Sequence, residues 1–130
     1  FRAPFLLAQA MHRALHAEEQ GKVISLNDWR TARARRFAYG ASKAALSGLT
    51  RSLAVAMAPN VQVNELALGA ILPPADLVAE NPGDWPKETK LGPAARMGTL
   101  NEVSAAVISL VENDFITGET LHIDGGRHIR

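Results

Sequence analysis

The sequence predicts an α/β fold, of which it holds half of a doubly wound parallel sheet, and three observations lead to this. Segments with helical periodicity alternate along the chain with short runs rich in β-branched residues. A helix separates each predicted strand from the next, which is the order of parallel βαβ units with right-handed crossovers. Only three strands are predicted, so one edge of the sheet is expected to lack a partner.

A helix over 3–19 and a strand over 22–26 are the first predicted elements. The apolar positions of the helix recur at spacings of three and four and are Phe5, Ala8, Met11 and Leu15. Gly21 is expected to end this helix, because glycine accommodates the backbone that follows a last helical turn. The run KVISL at 22–26 is short, apolar and β-branched, which predicts a buried strand.

The second helix, predicted over 39–58, has the clearest apolar face in the chain. That face is lined by Leu46, Leu49, Leu53 and Met57. Pro59 is expected to stop the helix, because its ring cannot continue the hydrogen-bond ladder. The run VQVNELAL at 61–68 then predicts a second strand, in which Val61 and Val63 alternate with polar residues.

The segment 69–98 shows no periodicity and includes five of the seven prolines. A loop of this length inside a compact domain is usually functional or disordered. Order returns at the run TLNE, 99–102, where a threonine and a glutamate three residues later match a capping box. The helix that begins there is followed by a last strand, ETLHID at 119–124, which the pair Gly125–Gly126 closes.

The bulk composition fits one globular domain and excludes several classes of protein. The chain has 130 residues, 47% of them hydrophobic, and a net charge of +1, which favours neither nucleic acid nor a membrane as partner. It has no cysteine, so disulfide frameworks, thiol catalysis and cysteine–zinc sites are excluded, and a cytoplasmic location is expected. No apolar run approaches the length of a membrane span. The chain starts at Phe1 rather than Met, which suggests a fragment or a processed product.

Tyr39 and Lys43 stand four residues apart at the start of the second helix, so their side chains share one face. A free phenol has a pKa of about 10, which is too high for efficient proton transfer at neutral pH. A neighbouring ammonium favours the phenolate and lowers that pKa, and the tuned phenol is then a usable general acid or base. The spacing alone does not establish this chemistry, because short motifs also match by accident on helix surfaces.

The stretch YGASKAALSGLTRSLA resembles the active-site helix of the short-chain dehydrogenase/reductase family, with its Tyr-x-x-Ser-Lys core. Other runs resemble further blocks of that family in the same order, namely RAPFLLAQAM, GKVISLND, VQVNELALG and ITGETLHIDGG. Several ordered blocks are far more specific than one motif. The resemblance identifies 1–130 as the C-terminal part of a single Rossmann-fold domain, with 69–98 as its substrate-loop region.

The resemblance implies a role for five residues. Tyr39 would donate a proton to the centre that is reduced, while Lys43 would lower the pKa of the phenol and, with Tyr39, hold the nicotinamide ribose. Gly69 would let the backbone approach the nicotinamide, and Ile71 would contact its carboxamide. Trp85 in the loop would stack on a substrate ring, although an aromatic residue that covers the core is an equal alternative.

The serine that the family usually places before this tyrosine is absent. Counting back from Tyr39 puts Leu26 at its position, whereas aligning the strand puts Asn27 and Asp28 over the usual serine pair. The strand alignment is preferred, because loops absorb deletions and strands do not. An aspartate here resembles the pteridine reductase subgroup, including dihydromonapterin reductases, in which aspartate and tyrosine relay a proton to a pterin nitrogen. The alternative is that Asp28 only caps a turn.

The implied cofactor is NADPH, although the choice between NADP and NAD stays open. The family's main phosphate-binding loop, a glycine-rich fingerprint after the first strand, has no counterpart in this chain. We therefore expect the 130-residue chain alone neither to bind a dinucleotide tightly nor to turn over. The implied substrate is a small molecule, a dihydropterin, and the implied assembly is a homo-oligomer, a dimer or a tetramer. Alternatives are a ketone or acyl-thioester reductase of the same family, and a non-catalytic oligomerising remnant of the fold.

Three further groups of polar residues bear on possible ligands and partners. An arginine cluster could bind RNA, but the absence of interleaved aromatic residues favours a solvated loop or the steering of an anionic ligand; its members are Arg30, Arg33, Arg35 and Arg36. The four histidines lack the spacing of metal ligands, so no metal is predicted. The tail Arg127–Arg130 resembles the pteridine reductase ending and is expected to reach the pocket of a neighbouring subunit.

Overall fold

A computed structural model describes residues 1–32, 34–73 and 91–129. It confirms the predicted order of helices and strands. The elements are α1 (Arg2–Ala14), β1 (Gly21–Asp28), α2 (Phe37–Ala56), β2 (Val61–Leu68), α3 (Leu100–Glu112), β3 (Thr120–Ile123) and a 3₁₀ turn (Arg127–Ile129).

The ends of several elements differ from the prediction: α2 lies two residues earlier than the predicted 39–58, and β3 is one residue shorter at each end than 119–124. Helix α1 stops at Ala14, five residues early, because Leu15 is extended and the N–H of His16 donates to the Glu19 carboxylate across 2.8 Å. This local hydrogen bond competes with a further helical turn. Strand β1 runs on to Asp28, because it pairs with β2 over its whole length.

The described strands form one parallel sheet in the order β1–β2–β3. The register runs from Gly21 opposite Val61 to Asp28 opposite Leu68, and Leu68 in turn lies opposite Ile123. The carboxyl ends of all three strands therefore meet at one edge of the sheet, which is where open α/β sheets bind their ligands.

Helices cover both faces of the sheet. The first face carries α1 and α2, which pack around Val61 and Val63, and the second carries α3, which packs around Leu66. The connections β1–α2–β2 and β2–α3–β3 step across the sheet in the same direction, but α2 and α3 lie on opposite faces of it. The two crossovers therefore have opposite hands. The expectation that both are right-handed is therefore wrong. The long segment 69–99 in the second connection removes the constraint that a compact βαβ unit imposes.

Strand β2 is buried from Val61 to Ala67, polar positions included. In the sequence, apolar and polar residues alternate at the start of this strand. Because helices cover both faces of the sheet, the polar residues are buried as well and do not face water. Asn64 is satisfied by the main chain before β3, since its amide donates to Ile116 O at 2.8 Å and accepts from Glu119 N at 3.0 Å. The hydrogen-bond partners of the Glu65 carboxylate lie closer to the candidate active site than those of Asn64 do.

Helix α3 begins as the sequence predicts. The Thr99 hydroxyl accepts from the N–H of Glu102 at 3.2 Å, and the Glu102 carboxylate accepts from the N–H of Thr99 at 2.8 Å. The Arg96 guanidinium also pairs with Glu102. These hydrogen bonds, that from Arg96 first, lower the pKa of Glu102 to about 2.

Within the described ranges, no helix is both long enough and apolar enough to cross a membrane.

Candidate active site

Tyr39 and Asp28 meet at the carboxyl edge of the sheet. The Tyr39 hydroxyl donates a hydrogen bond to Asp28 Oδ2 across 2.8 Å. Asp28 is the last residue of β1, and Tyr39 lies in the first turn of α2, so the two side chains come from consecutive elements. Tyr39 is 39% exposed.

Lys43 lies one helical turn beyond Tyr39 on the same face. Its Nζ is 5.9 Å from the centroid of the Tyr39 ring and donates to Leu26 O at 3.0 Å. The side chain of Leu26 is 54% exposed, so this residue contributes its carbonyl oxygen and not its side chain. Asp28, and not the Leu26 side chain, therefore lies beside Tyr39, and its assignment to the serine position stays a prediction.

Asp28 contacts both the local backbone and Tyr39, and its role in a reaction stays a prediction. Its Oδ1 accepts from the N–H of Arg30 at 2.9 Å, which is the turn-capping contact of an aspartate after a strand. Its Oδ2 accepts from the phenol of Tyr39. One oxygen fixes the carboxylate to the local backbone, so the other is held towards Tyr39.

Asn27, which the sequence placed only beside the serine position, joins β1 to α2. Its Nδ2 donates to Lys43 O at 3.1 Å, to Ser47 Oγ at 3.0 Å and to a carboxylate oxygen of Glu65 at 3.0 Å. Its Oδ1 accepts from the N–H of Asp28 at 2.8 Å. The only sequence signal for this role is a polar residue immediately before Asp28 in a strand predicted to be buried.

Gly69 and Ile71, predicted near the nicotinamide, follow β2. The N–H of Gly69 donates to Ile123 O at 2.9 Å, and a Cβ atom at Gly69 would lie 2.6 Å from Cα of Asp124. A glycine is therefore required here by the close approach of two strand ends. Ile71 lies against Gly98. The role of both residues at a nicotinamide stays a prediction.

Three predicted residues cannot be placed, among them Arg130 of the C-terminal tail, which lies outside the described residues. Trp85, assigned to the substrate, lies outside the described residues together with most of the 69–98 loop. Arg33 of the arginine cluster also lies outside them.

The C-terminal tail folds onto its own chain. The Arg127 guanidinium lies over the Trp29 ring at 4.4 Å from its centroid, beside Asp28. Asp124 is buried and accepts from the N–H groups of Gly126 and His128 and from the His128 ring. Burial raises the pKa of Asp124, but the His128 ring and these N–H donors outweigh it and leave the pKa below its usual value. The sequence had instead predicted that this tail reaches a neighbouring subunit, which a single chain does not test.

A nicotinamide dinucleotide fits part of this site. The Tyr39 hydroxyl and the Lys43 ammonium are both polar groups on one helix face at the sheet edge that binds ligands. The pyrophosphate of such a cofactor is expected to need a Gly-x-x-x-Gly-x-Gly run after a strand, a spacing that the glycines of this sequence do not form. The residues present therefore suit the nicotinamide riboside end.

Comparisons with known proteins agree with this arrangement. The family model described as Enoyl-(Acyl carrier protein) reductase matches residues 1–128. A dihydromonapterin reductase of Citrobacter koseri is 37% identical over 134 residues, covering 98% of this chain and 53% of its own length. An oxidoreductase of Schizosaccharomyces pombe is 42% identical over 94 residues, covering 68% of this chain and 36% of its own length.

A solved structure resembles the whole chain. It is FolM alternative dihydrofolate reductase 1 from Brucella canis complexed with NADP, with a TM-score of 0.84 and 36% identity over 100% of this chain and 51% of the other. The chain therefore spans about half the length of its pterin-reducing and folate-reducing relatives.

Proposed function

We propose, since the chain belongs to the short-chain dehydrogenase/reductase family, that it carries the proton-donating half of an NADPH-dependent reductase of dihydropterins. The observation that carries this proposal is the 2.8 Å hydrogen bond between Tyr39 and Asp28. A carboxylate in place of the usual serine suits a pterin, whose ring N–H and amino groups are hydrogen-bond donors.

In the proposed reaction, NADPH supplies a hydride to the carbon of the dihydropterin C=N bond. The Tyr39 hydroxyl and the Asp28 carboxylate relay one proton to the ring nitrogen of that bond. The ammonium of Lys43, one turn away, stabilises the phenolate that Tyr39 becomes when its proton leaves. Asp28 also binds the substrate through the oxygen that faces Tyr39.

The cofactor is held only in part by this chain. Tyr39 and Lys43 bind the nicotinamide ribose, and Gly69 and Ile71 line the nicotinamide. The complex of the Brucella canis relative with NADP supports this cofactor. The pyrophosphate needs a segment that this sequence does not contain, so the 130-residue chain is inactive alone. The active protein is a cytoplasmic homo-oligomer.

The ketone and acyl-thioester reductases of the family remain the second candidate, since the matching family model describes an acyl carrier protein reductase. The replacement of the serine by Asp28 argues for the pterin, as do the names of the two relatives reported above that cover 98% and 100% of the chain.

A chimera tests the proposal. Residues 1–130 replace the matched segment of the Citrobacter koseri dihydromonapterin reductase, and NADPH oxidation is followed with dihydromonapterin and with a simple ketone. The unaltered reductase is the positive control. We expect reduction of the dihydropterin in preference to the ketone. A folded chimera that reduces only the ketone would contradict the proposal.

A further inference from the structure

Glu65 in the middle of β2 is a fully buried carboxylate, with 0% of its surface exposed. Its Oε1 accepts from Ser47 Oγ at 2.6 Å and from Thr120 Oγ1 at 2.7 Å. Its Oε2 accepts from Asn27 Nδ2 at 3.0 Å and from Thr50 Oγ1 at 3.4 Å. A carboxylate offers four lone-pair positions, and four uncharged donors from β1, α2 and β3 occupy them.

Such a group is an expensive choice for the central strand. A buried charge without an opposite charge is costly, and hydrogen bonds only offset that cost. Neighbours on the same face of the strand, Val63 and Ala67, show that apolar side chains fit there. Stability alone therefore does not explain the carboxylate.

One of the four donors leads to the candidate site. Asn27 shares one amide group between Glu65, Ser47 and the Lys43 carbonyl, and its other end accepts from the N–H of Asp28. An amide can rotate to exchange its oxygen and nitrogen, but a carboxylate only accepts. Glu65 and the Lys43 carbonyl, which both only accept, therefore hold the Asn27 nitrogen on their side, which leaves the Asn27 oxygen for the N–H of Asp28.

We propose that Glu65 is a positioning residue. Its carboxylate fixes the orientation of the Asn27 amide, and through that amide it holds the end of β1 at Asp28 against the Lys43 turn of α2. Tyr39 and Asp28 then stand within hydrogen-bond distance. The catalytic meaning of this device rests on the proposed function, whereas the positioning itself does not.

The lone tyrosine provides a direct readout, since the chain contains no other tyrosine than Tyr39. NMR of the 130-residue chain with tyrosine labelled at the ring ε carbons gives one ring signal. We expect Glu65→Met and Asn27→Leu to displace this signal in the same way, and the double variant to displace it no further. Non-additivity of this kind is the signature of two residues that act through one contact.

Two matched controls separate positioning from a general loss of packing or charge. Thr120→Val removes another hydrogen bond of Glu65 on the side away from Asn27 and should leave the Tyr39 signal in place. Glu65→Gln keeps an acceptor for Asn27, while its amino group can face the hydroxyls of Ser47 and Thr120, which accept as well as donate. This variant should therefore retain the wild-type signal.

A Tyr39 signal that Glu65→Met displaces no more than Thr120→Val does would overturn the proposal. The proposal would also be overturned if Glu65→Gln displaced the Tyr39 signal as far as Glu65→Met does, because the loss of charge would then be the cause of the displacement. If Glu65→Met does not fold, Asn27→Leu is compared with Thr120→Val instead. Asn27→Leu removes the hydrogen bond between Asn27 and Glu65 from the Asn27 side. In the chimera, Glu65→Met should lower kcat about tenfold with KM little changed, and Glu65→Gln should restore it. A chimera without any activity would refute the proposed function and leave the NMR result standing.

Discussion

The Tyr39 hydroxyl donates to Asp28 Oδ2 across 2.8 Å, joining residues that stand eleven positions apart in the chain. The pairing arises because the last residue of β1 and the first turn of α2 lie together in space at the carboxyl edge of the sheet. Asp28 is pinned by Arg30 N on its other oxygen, so the hydrogen bond to Tyr39 does not depend on a freely rotating carboxylate. A phenol between a carboxylate and an ammonium is subject to two opposite electrostatic influences.

Removal of Lys43 and removal of Asp28 should shift the pKa of the Tyr39 phenol in opposite directions. Lys43→Met takes away the cation and should raise the pKa of the phenol, while Asp28→Asn takes away the anion and should lower it, each by on the order of one unit. Tyrosinate ultraviolet absorbance measures this for Tyr39 alone, because the chain has one tyrosine.

Ser42→Ala is the control for that titration. The Ser42 hydroxyl donates to the main-chain oxygen of Tyr39 at 2.8 Å and brings no charge to the phenol. Its titration should match that of the wild type. Unchanged midpoints in both charge variants would show that neither Lys43 nor Asp28 acts on Tyr39.

Asp28→Ser should change the preference between substrates. Serine restores the usual family residue but removes the carboxylate that pairs with pterin donors, so kcat/KM of the chimera for dihydromonapterin should fall about tenfold to a hundredfold. The rate with a simple ketone should stay or rise. An equal loss on both substrates would mean that Asp28 serves only the local turn.

The cap of α3 should make stability depend on pH in acid. The folded-state pKa of Glu102 is about 2 against 4.5 for the free group, so its contribution is complete above pH 4.5 and is lost as the pH falls towards 2. Glu102→Gln should flatten that part of the profile of Tm against pH. Glu18→Gln, at an exposed residue outside any helix, should leave the profile unchanged. A Glu102→Gln profile as steep as that of the wild type would exclude the cap as its source.

The chain alone should not bind NADPH tightly. Tyr39 and Lys43 contact only the ribose end of the cofactor in the proposed complex, and the sequence has no glycine-rich turn for the pyrophosphate. Titration calorimetry of the 130-residue chain should therefore detect no tight binding, whereas the chimera should bind. Comparable affinity in the two proteins would show that the chain contains a phosphate site of another kind.

The sequence predicted those features that short segments determine. Strand β2 has the predicted bounds, 61–68, because its apolar run, Pro59 before it and Gly69 after it are local signals. The capping box at Thr99 was predicted for the same reason. The spacing of Tyr39 and Lys43 placed them on one helix face, and strand alignment selected Asp28 over Leu26, which agrees with the hydrogen bond to Tyr39.

Features that depend on distant segments were not predicted. The burial of Glu65 requires donors from β1, α2 and β3, and no window of the sequence contains them together. The contact between Arg127 and Trp29 joins residues nearly a hundred positions apart. The hand of the second crossover follows from which face α3 covers, and an amphipathic helix does not specify that face.

Tyr39→Phe in the chimera tests the central claim most directly, by the rate of NADPH oxidation with dihydromonapterin. The substitution removes one hydroxyl and keeps the ring, and circular dichroism verifies that the variant is folded. If Tyr39 supplies the proton, kcat should fall about a hundredfold to ten-thousandfold. A rate within about twofold of the unaltered chimera would contradict the assignment of Tyr39 as proton donor.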